Sequence, residues 1–285
     1  MVKVIKPGFY TTVQDLGRFA YQDYGVPISG AMDHYSAQFA NALLNNNEQD
    51  AVLEITMTGP TLEFHCHTLI CISGADMSPK LNDLSITLNT VTAVKPNDRL
   101  SFGKLNHGFR SYLAVSGGFQ TELKLKSRSM YRTITSKFKI EANDSLMIKE
   151  FRQAETNKHA TLKFNSEVFS SKHLEVYKGP EFELLTPQQQ NQLCHQEFTI
   201  SNLNDRMAYQ FKERFKNDLK SIITSPVLPG TVQLTPSGNL IVLMRDCQTT
   251  GGYPRILQLK ETSIHVLSQK FTGQWVQFQL LDQLV

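Results

Sequence analysis

The sequence predicts a mainly β protein of two domains with a few short helices, and three observations carry that reading. Short runs alternate apolar and polar residues with a period of two in both halves of the chain. Turn-forming residues separate those runs, and long helical patterns are too few to supply the crossovers of a parallel sheet, so an antiparallel barrel or sandwich is favoured. At 285 residues, 40% of them hydrophobic and 19% charged, the chain is long enough for two cores.

Taken in order, the stretch from Gly8 to Asp33 is too polar to be core: Thr11, Thr12, Gln14, Asp15, Arg18, Ser29 and Asp33 lie between glycines and a proline that set turns. Asp33 to Asn45 reads as a helix, with Tyr35, Phe39, Ala40, Leu43 and Leu44 at helical spacing, a cap at Ser29 or Asp33, and a stop at Asn45-Asn46-Asn47. If Ser29-Gly30 leads into its N-terminus, the free amides there offer a place for a carboxylate or phosphate. Alternation then places strands at Leu53–Met57 and Leu62–Cys66, with more at Leu69–Ile72, Ile86–Leu88, Leu100–Phe102 and Tyr112–Val115. Ser73-Gly74-Ala75-Asp76 and Lys95-Pro96-Asn97-Asp98 read as turns.

From Glu150 to Lys172 the chain is polar and loses its period, which sets the expected domains at 1–160 and 161–285. The second half continues with strands at Leu174–Tyr177, Phe198–Ser201, Thr231–Thr235, Leu240–Met244, Ser263–Leu267 and Trp275–Leu280. One helix interrupts them, capped by Thr186 with Pro187 in its first turn. Gly59–Phe64 and Gly179–Leu184 match in residue type, a faint sign of two similar domains.

A second polar cluster, Arg245 to Pro254, has the make-up of the first: arginine, aspartate, glutamine, paired threonines and glycines, suited to hydrogen-bonding an amide or carboxylate and to steadying negative charge. Because the residue types repeat, the two clusters are expected to serve one site. Arg18 and Arg245 are the candidates for anion recognition. Asp15 and Asp246 are candidates for a general base or for orienting an arginine. Thr12, Gln14, Ser29, Gly30, Asp33, Arg206, Gln248, Thr249, Thr250 and Tyr253 complete the candidate substrate contacts.

Other chemistry is weaker. The net charge of +3 with no basic run interleaved with aromatics gives no nucleic-acid footprint. No apolar run suits a membrane or a leader, and Cys66, Cys71, Cys194 and Cys247 read as reduced thiols, so a cytoplasmic protein is expected. His65 and His67 flank Cys66 on one predicted strand face, but a third metal ligand is missing, and exposed strand histidines are the expectation. Ser29 with His34 lacks the strand-to-helix elbow and orienting acid of a hydrolase, and Cys247 reads as a packed thiol as readily as a nucleophile. There is neither a phosphate loop of the Gly-x-x-x-x-Gly-Lys-Ser/Thr type nor an Ala-Met-Lys-Met biotin-attachment sequence.

Phe9–Arg18 with Gly25–Asp33, Leu53–Phe64, Ser73–Met77, Tyr112–Phe119, Ser127-Arg128-Ser129, Asp205-Arg206-Met207 and Pro229–Pro254 resemble the successive motifs of the 5-oxoprolinase C-subunit family. That family is also described as allophanate hydrolase subunit 2-like, biotin-dependent carboxyltransferase-like and sporulation-kinase-antagonist-like. The two most specific motifs are Thr11–Arg18 and Gln248–Pro254. The resemblance implies two cyclophilin-like β-barrel domains. It also implies one member of a hydrolase assembly, inactive alone, that joins the B and A subunits of 5-oxoprolinase to cleave 5-oxoproline to glutamate with ATP and, with it, Mg. The alternatives it brings are a urea carboxylase or allophanate hydrolase-type carboxyltransferase module, and a regulatory protein that binds a sensor-kinase inhibitor. The chain departs from the family pattern at Leu125-Lys126-Ser127-Arg128-Ser129, where Leu-Gly-Ser-Arg-Ser is usual, and at Met207-Ala208-Tyr209, where Met-Gly-Tyr is. Asn45-Asn46-Asn47 also stands where the family often has a glycine after its first long helix.

Overall fold

The computed structural model describes residues 1–149 and 162–281. It divides into two compact units, Met1–Arg18 with Ser29–Ser166, and Phe19–Ile28 with Glu167–Val285. The boundary expected between 160 and 161 lies outside the described residues.

Among the described residues, the first unit has eleven strands and one α-helix: β1 (Val2–Lys6), β2 (Tyr10–Gln14), α1 (His34–Leu43), β3 (Val52–Thr56), β4 (Thr61–Phe64), β5 (Thr68–Asp76), β6 (Lys80–Leu81), β7 (Leu84–Ser85), β8 (Thr92–Val94), β9 (Arg99–Ser101), β10 (His107–Val115) and β11 (Ser145–Leu146). They form a six-stranded sheet ordered β11-β1-β4-β9-β6-β7 and a five-stranded sheet ordered β2-β3-β10-β5-β8. The core lies between the sheets, where Val2, Val4, Leu62, Phe64 and Leu100 of one meet Val13, Leu53, Ile55, Ile72 and Leu113 of the other. Along each strand these side chains are spaced by two, so every strand gives alternate residues to this core. Ala37 and Ala40 of α1 pack on the opposite face of the five-stranded sheet, against Val52, Cys71, Tyr112 and Ala114.

Ser73-Gly74-Ala75-Asp76 is not a turn but the end of the nine-residue β5. Gly74 has φ +88°, and a Cβ there would stand 2.6 Å from the Arg110 carbonyl oxygen, while the β5–β10 register shifts between His107 and Ser111. The glycine marks a bulge inside a strand, and turn-like composition alone cannot tell the two apart. The strand expected at Ile86–Leu88 is also absent. The short hairpin β6–β7 precedes it, turning through Asn82 and Asp83, both at positive φ.

The second unit comprises α2 (Glu167–Ser170), β12 (His173–Lys178), α3 (Pro187–His195), β13 (Phe198–Asn204), β14 (Ala208–Phe211), β15 (Ser225–Pro226), β16 (Thr231–Leu234), β17 (Leu240–Leu243), β18 (Thr250–Gly251), β19 (Arg255–Leu259), α4 (Glu261–Ser268) and β20 (Trp275–Leu280). Seven strands close a barrel in the order β12-β19-β16-β17-β14-β13-β20, with β15 and β18 paired separately. Phe198, Phe211 and Phe278 fill its interior with ring centroids 5.4 to 5.9 Å apart, contacts worth about 1 kcal/mol each beyond burial. Thr186 caps α3 with Pro187 in its first turn, as the sequence predicts, and adds a reciprocal capping box with Gln189.

Ser263–Leu267, expected as a strand, belongs to helix α4. Its burial of Ser263, Ile264, Leu267 and Ser268 follows helical spacing, and the five-residue alternation was too short to separate the two periods. The echo between Gly59–Phe64 and Gly179–Leu184 is not a structural repeat either: Thr61–Phe64 is a strand, and Phe182–Leu184 a turn of 3-10 helix.

Candidate functional site

In the first unit the chain leaves β2 at Gln14 and enters a loop held by one carboxylate. Asp15 Oδ1 accepts from the Gly17 amide at 2.8 Å, Ser127 Oγ at 2.7 Å and Ser129 Oγ at 2.6 Å, and its Oδ2 accepts from the Arg128 amide at 2.6 Å. Four donors on one carboxylate fix its orientation and occupy the lone pairs that a general base uses. Arg18, 1% exposed, donates to the Ser129 carbonyl. The Ser127-Arg128-Ser129 motif, more than a hundred residues on, is therefore built onto the first polar cluster.

The Ser29 segment lies on the same loop. Ala31 N donates to the Asp15 carbonyl at 2.8 Å, and Gly30, at φ +89°, approaches the Leu16–Gly17 peptide so closely that a Cβ would stand 2.8 Å from it. Ser29 is at φ +57° with its buried Oγ unpartnered among the described residues, so it forms no nucleophile–base pair with His34. Gln14 donates to Thr12 Oγ1 and the Met130 carbonyl, and its buried Oε1 has no donor among the described residues. Asp33 caps α1, accepting from Ser36 N and Ser36 Oγ. This corrects the expectation of an anion site there: a fully buried carboxylate already occupies the positive end of the helix.

Sequence reasoning missed a buried polar row across the five-stranded sheet. The register aligns Thr12, Glu54, Tyr112 and Ser73 on adjacent strands, all within 1% of complete burial. Glu54 Oε2 accepts from Met32 N at 2.6 Å and from Tyr112 Oη at 2.9 Å, while Tyr112 Oη accepts from Asp33 N at 2.8 Å. Arg110, 2% exposed, places its Nε 3.8 Å from Glu54 Oε1. Burial, and then the charges of Glu54 and Asp33, push the Tyr112 phenol well above its ordinary range, so it stays protonated and donates to Glu54. The signal available was a glutamate in Val52-Leu53-Glu54-Ile55-Thr56, a strand buried on both faces, and alternation alone reads such a glutamate as solvated.

The second polar cluster follows β17 in the other unit. Arg206 holds Asp246 through Nε at 2.8 Å and Nη2 at 3.1 Å, and Arg245 pairs with Glu261 of α4. Glu261 also meets His265 Nε2 at 3.2 Å, so the helix expected as a strand supplies two groups to this cluster. Arg245 Nε and Gln248 Oε1 are buried without partners among the described residues. The Thr249 carbonyl accepts from Val227 N, Thr250 lies exposed in the β15–β18 pair, and Tyr253 is 39% exposed. Burial, then the charge of Asp246, pushes the Cys247 thiol up to about 12, so it is not a thiolate nucleophile at neutral pH. His65 and His67 lie in the bend between β4 and β5 rather than on one strand face, and His65 sits 3.3 Å from Glu63.

The profile of the carboxyltransferase domain, subdomain A and B, matches residues 24–280. The chain is 30% identical to the C subunit of 5-oxoprolinase from Escherichia coli (strain K12) over 98% of its own length and 90% of that protein. Among solved structures, TTHA0988 superposes with a TM-score of 0.87 at 25% identity over 98% of this chain, which spans 56% of that one. The urea amidolyase of K. lactis gives a TM-score of 0.86 at 26% identity over 99% of this chain and 19% of its own. The chain thus spans little more than half of one solved relative and about a fifth of the other.

Proposed function

The chain belongs to the family of the carboxyltransferase domain, subdomain A and B, and from that premise we propose that it is one component of an ATP-dependent 5-oxoprolinase, acting with the B and A subunits of that enzyme in the cytoplasm. The observation that carries this is the near-complete, two-way coverage with the E. coli protein. The amide of 5-oxoproline is a poor electrophile, and phosphorylating its oxygen makes it open to water. The protein's task is then to hold the ring, steady charge on that oxygen and exclude competing donors.

The geometry supports a positioning role for both aspartates. Asp15 carries four hydrogen bonds and Asp246 a two-point arginine pair, so each shapes a loop rather than waiting for a proton. Among the described residues, Gln14 Oε1 and Ser29 Oγ of the first unit and, separately, Arg245 Nε and Gln248 Oε1 of the second are buried polar atoms without a partner. With Asp33 on the N-terminus of α1 and no phosphate loop in the sequence, we assign ATP and its Mg to another member of the assembly, and derive no step through them on this chain.

A carboxyltransferase module is the second reading, favoured by the likeness to K. lactis urea amidolyase. Co-purification with candidate partners, followed by ATP-dependent assays on 5-oxoproline, allophanate, and urea with bicarbonate, separates the two. Glutamate release that requires every component supports the first reading. Turnover of urea or allophanate instead replaces it with the second, and full 5-oxoproline turnover by this chain alone refutes its place as one part of an assembly.

A further inference from the structure

Asp15 uses both serines and the backbone of Ser127-Arg128-Ser129, which leaves the Arg128 side chain as the part of that motif with no role in the loop brace. It lies in the wall of a cleft of about 370 Å³ within the first unit, a volume inside the range of small-molecule sites. Its Nη1 donates to the Thr121 carbonyl and its Nη2 to Gln120 Oε1 at 3.1 Å, contacts that hold the guanidinium in place and leave its other donors for a ligand.

The same cleft carries an ordered acceptor. Glu122 takes the Ser136 amide at 2.8 Å and lies 3.1 Å from Lys124 Nζ, and these two partners, the amide first, hold its carboxyl below the ordinary glutamate range. Thr121 Oγ1 is a buried hydroxyl of the lining with no partner among the described residues. Asp144 and Lys137, also in the wall, neutralise each other. Met130, Leu146 and Met147 give the lining an apolar part, beside the small polar side chains of Thr135, Ser136 and Ser145. A fixed guanidinium, a fixed carboxylate and an unpartnered hydroxyl around an apolar floor fit a small molecule with a carboxylate at one end and an N–H donor beside it.

We propose that this cleft binds a small carboxylate with an adjacent N–H donor, the chemistry shared by 5-oxoproline and glutamate, with Arg128 on the carboxylate and Glu122 on the N–H. The choice of those two compounds rests on the function proposed above, whereas the charge pattern does not. Lysine cannot reproduce the two-point fork of arginine, so Arg128→Lys weakens the site. Ser145→Trp fills the cleft from the exposed edge of β11 and leaves every brace around Arg128 in place.

Calorimetric titration of the full chain with 5-oxoproline, L-glutamate and acetate tests this. We expect saturable binding of 5-oxoproline or glutamate, at least tenfold tighter than acetate, and at least a tenfold loss in both variants at unchanged melting temperature. Should Arg128→Lys fail to fold, Ser145→Trp alone decides. The tighter of the two compounds tells whether the cleft takes substrate or product. No saturable binding, or affinity retained in a folded variant, overturns the proposal. The turnover assay on the assembly is separate: activity with unchanged KM in both variants removes the cleft and keeps the 5-oxoprolinase reading, and binding without any 5-oxoproline turnover does the reverse.

Discussion

Replacing Tyr112 with phenylalanine keeps the ring and its packing but removes a hydroxyl that joins two buried groups. The Asp33 amide loses its acceptor at 2.8 Å, and Glu54 loses a donor at 2.9 Å. A hydrogen bond to a buried charge is worth about 2 kcal/mol and a buried donor deprived of its acceptor costs about 1 to 3 kcal/mol, so the substitution should destabilise the first unit by about 3 kcal/mol. That corresponds to roughly a hundredfold loss of protection for the Asp33 amide in hydrogen exchange. Trp275, the only tryptophan of the chain, belongs to the second unit, so its fluorescence in the same urea series is an internal control that should not shift. The pH dependence has a definite sign. A phenol whose folded pKa is raised keeps its proton where the unfolded chain has lost it, so its contribution is complete below about pH 10 and declines above it by up to about 1.4 kcal/mol per pH unit. Tyr112→Phe should flatten that alkaline decline. A loss below about 0.5 kcal/mol, against the roughly 3 expected from the two hydrogen bonds, or an unchanged alkaline slope would refute the reasoning.

Lys126, at φ +61° in the tight turn between Lys124 and Ser127, stands where the family usually has glycine, and Lys126→Gly should raise stability by about 1 kcal/mol in thermal unfolding. Asp15→Asn turns an acceptor facing the Arg128 amide into a donor, and should cost about 2 kcal/mol and lower turnover of the assembled enzyme; its coupling to Ser129→Ala in a double-mutant cycle should be clearly non-zero. Lys270 is buried, and burial followed by the charge of Lys172 brings its ammonium down to about 8. The unfolded chain therefore holds a proton the folded one lacks between about pH 8 and pH 10, and stability of the second unit should rise over that window by Trp275 fluorescence and stay flat in Lys270→Met.

What the sequence disclosed follows from where the information is local. Helices α1 and α3 were legible because their caps, Asp33 and Thr186 with Pro187, are written within four residues of the structure they set. The alternation in Leu53–Met57, which falls on the strand Val52–Thr56, was legible because a sheet face repeats every second residue. Helix α4 was misread because Ser263–Leu267 satisfies both periods over five residues. Thr12, Gln14, Asp15 and Arg18 stood out as a polar run, yet nothing near them in the chain points to Ser127 and Ser129, whose hydroxyls hold the loop. Glu54, Arg110 and Tyr112 were hidden for the opposite reason: they are scattered among the apolar residues of two strands, β3 and β10, and only cross-strand register assembles them. Pairings between residues far apart in the chain are where a linear reading fails.

The barrel of the second unit is closed by its last strand. β20 pairs with β12 in parallel, His173 opposite Gln277, and with β13 in antiparallel, Phe198 opposite Val276. During synthesis, β12 and β13 therefore emerge well before their shared neighbour β20, and the barrel cannot close until Trp275–Leu280 has left the ribosome. Until then the edges of both strands are open to any other extended chain. A ribosome stalled short of residue 275 would hold the barrel open along that seam.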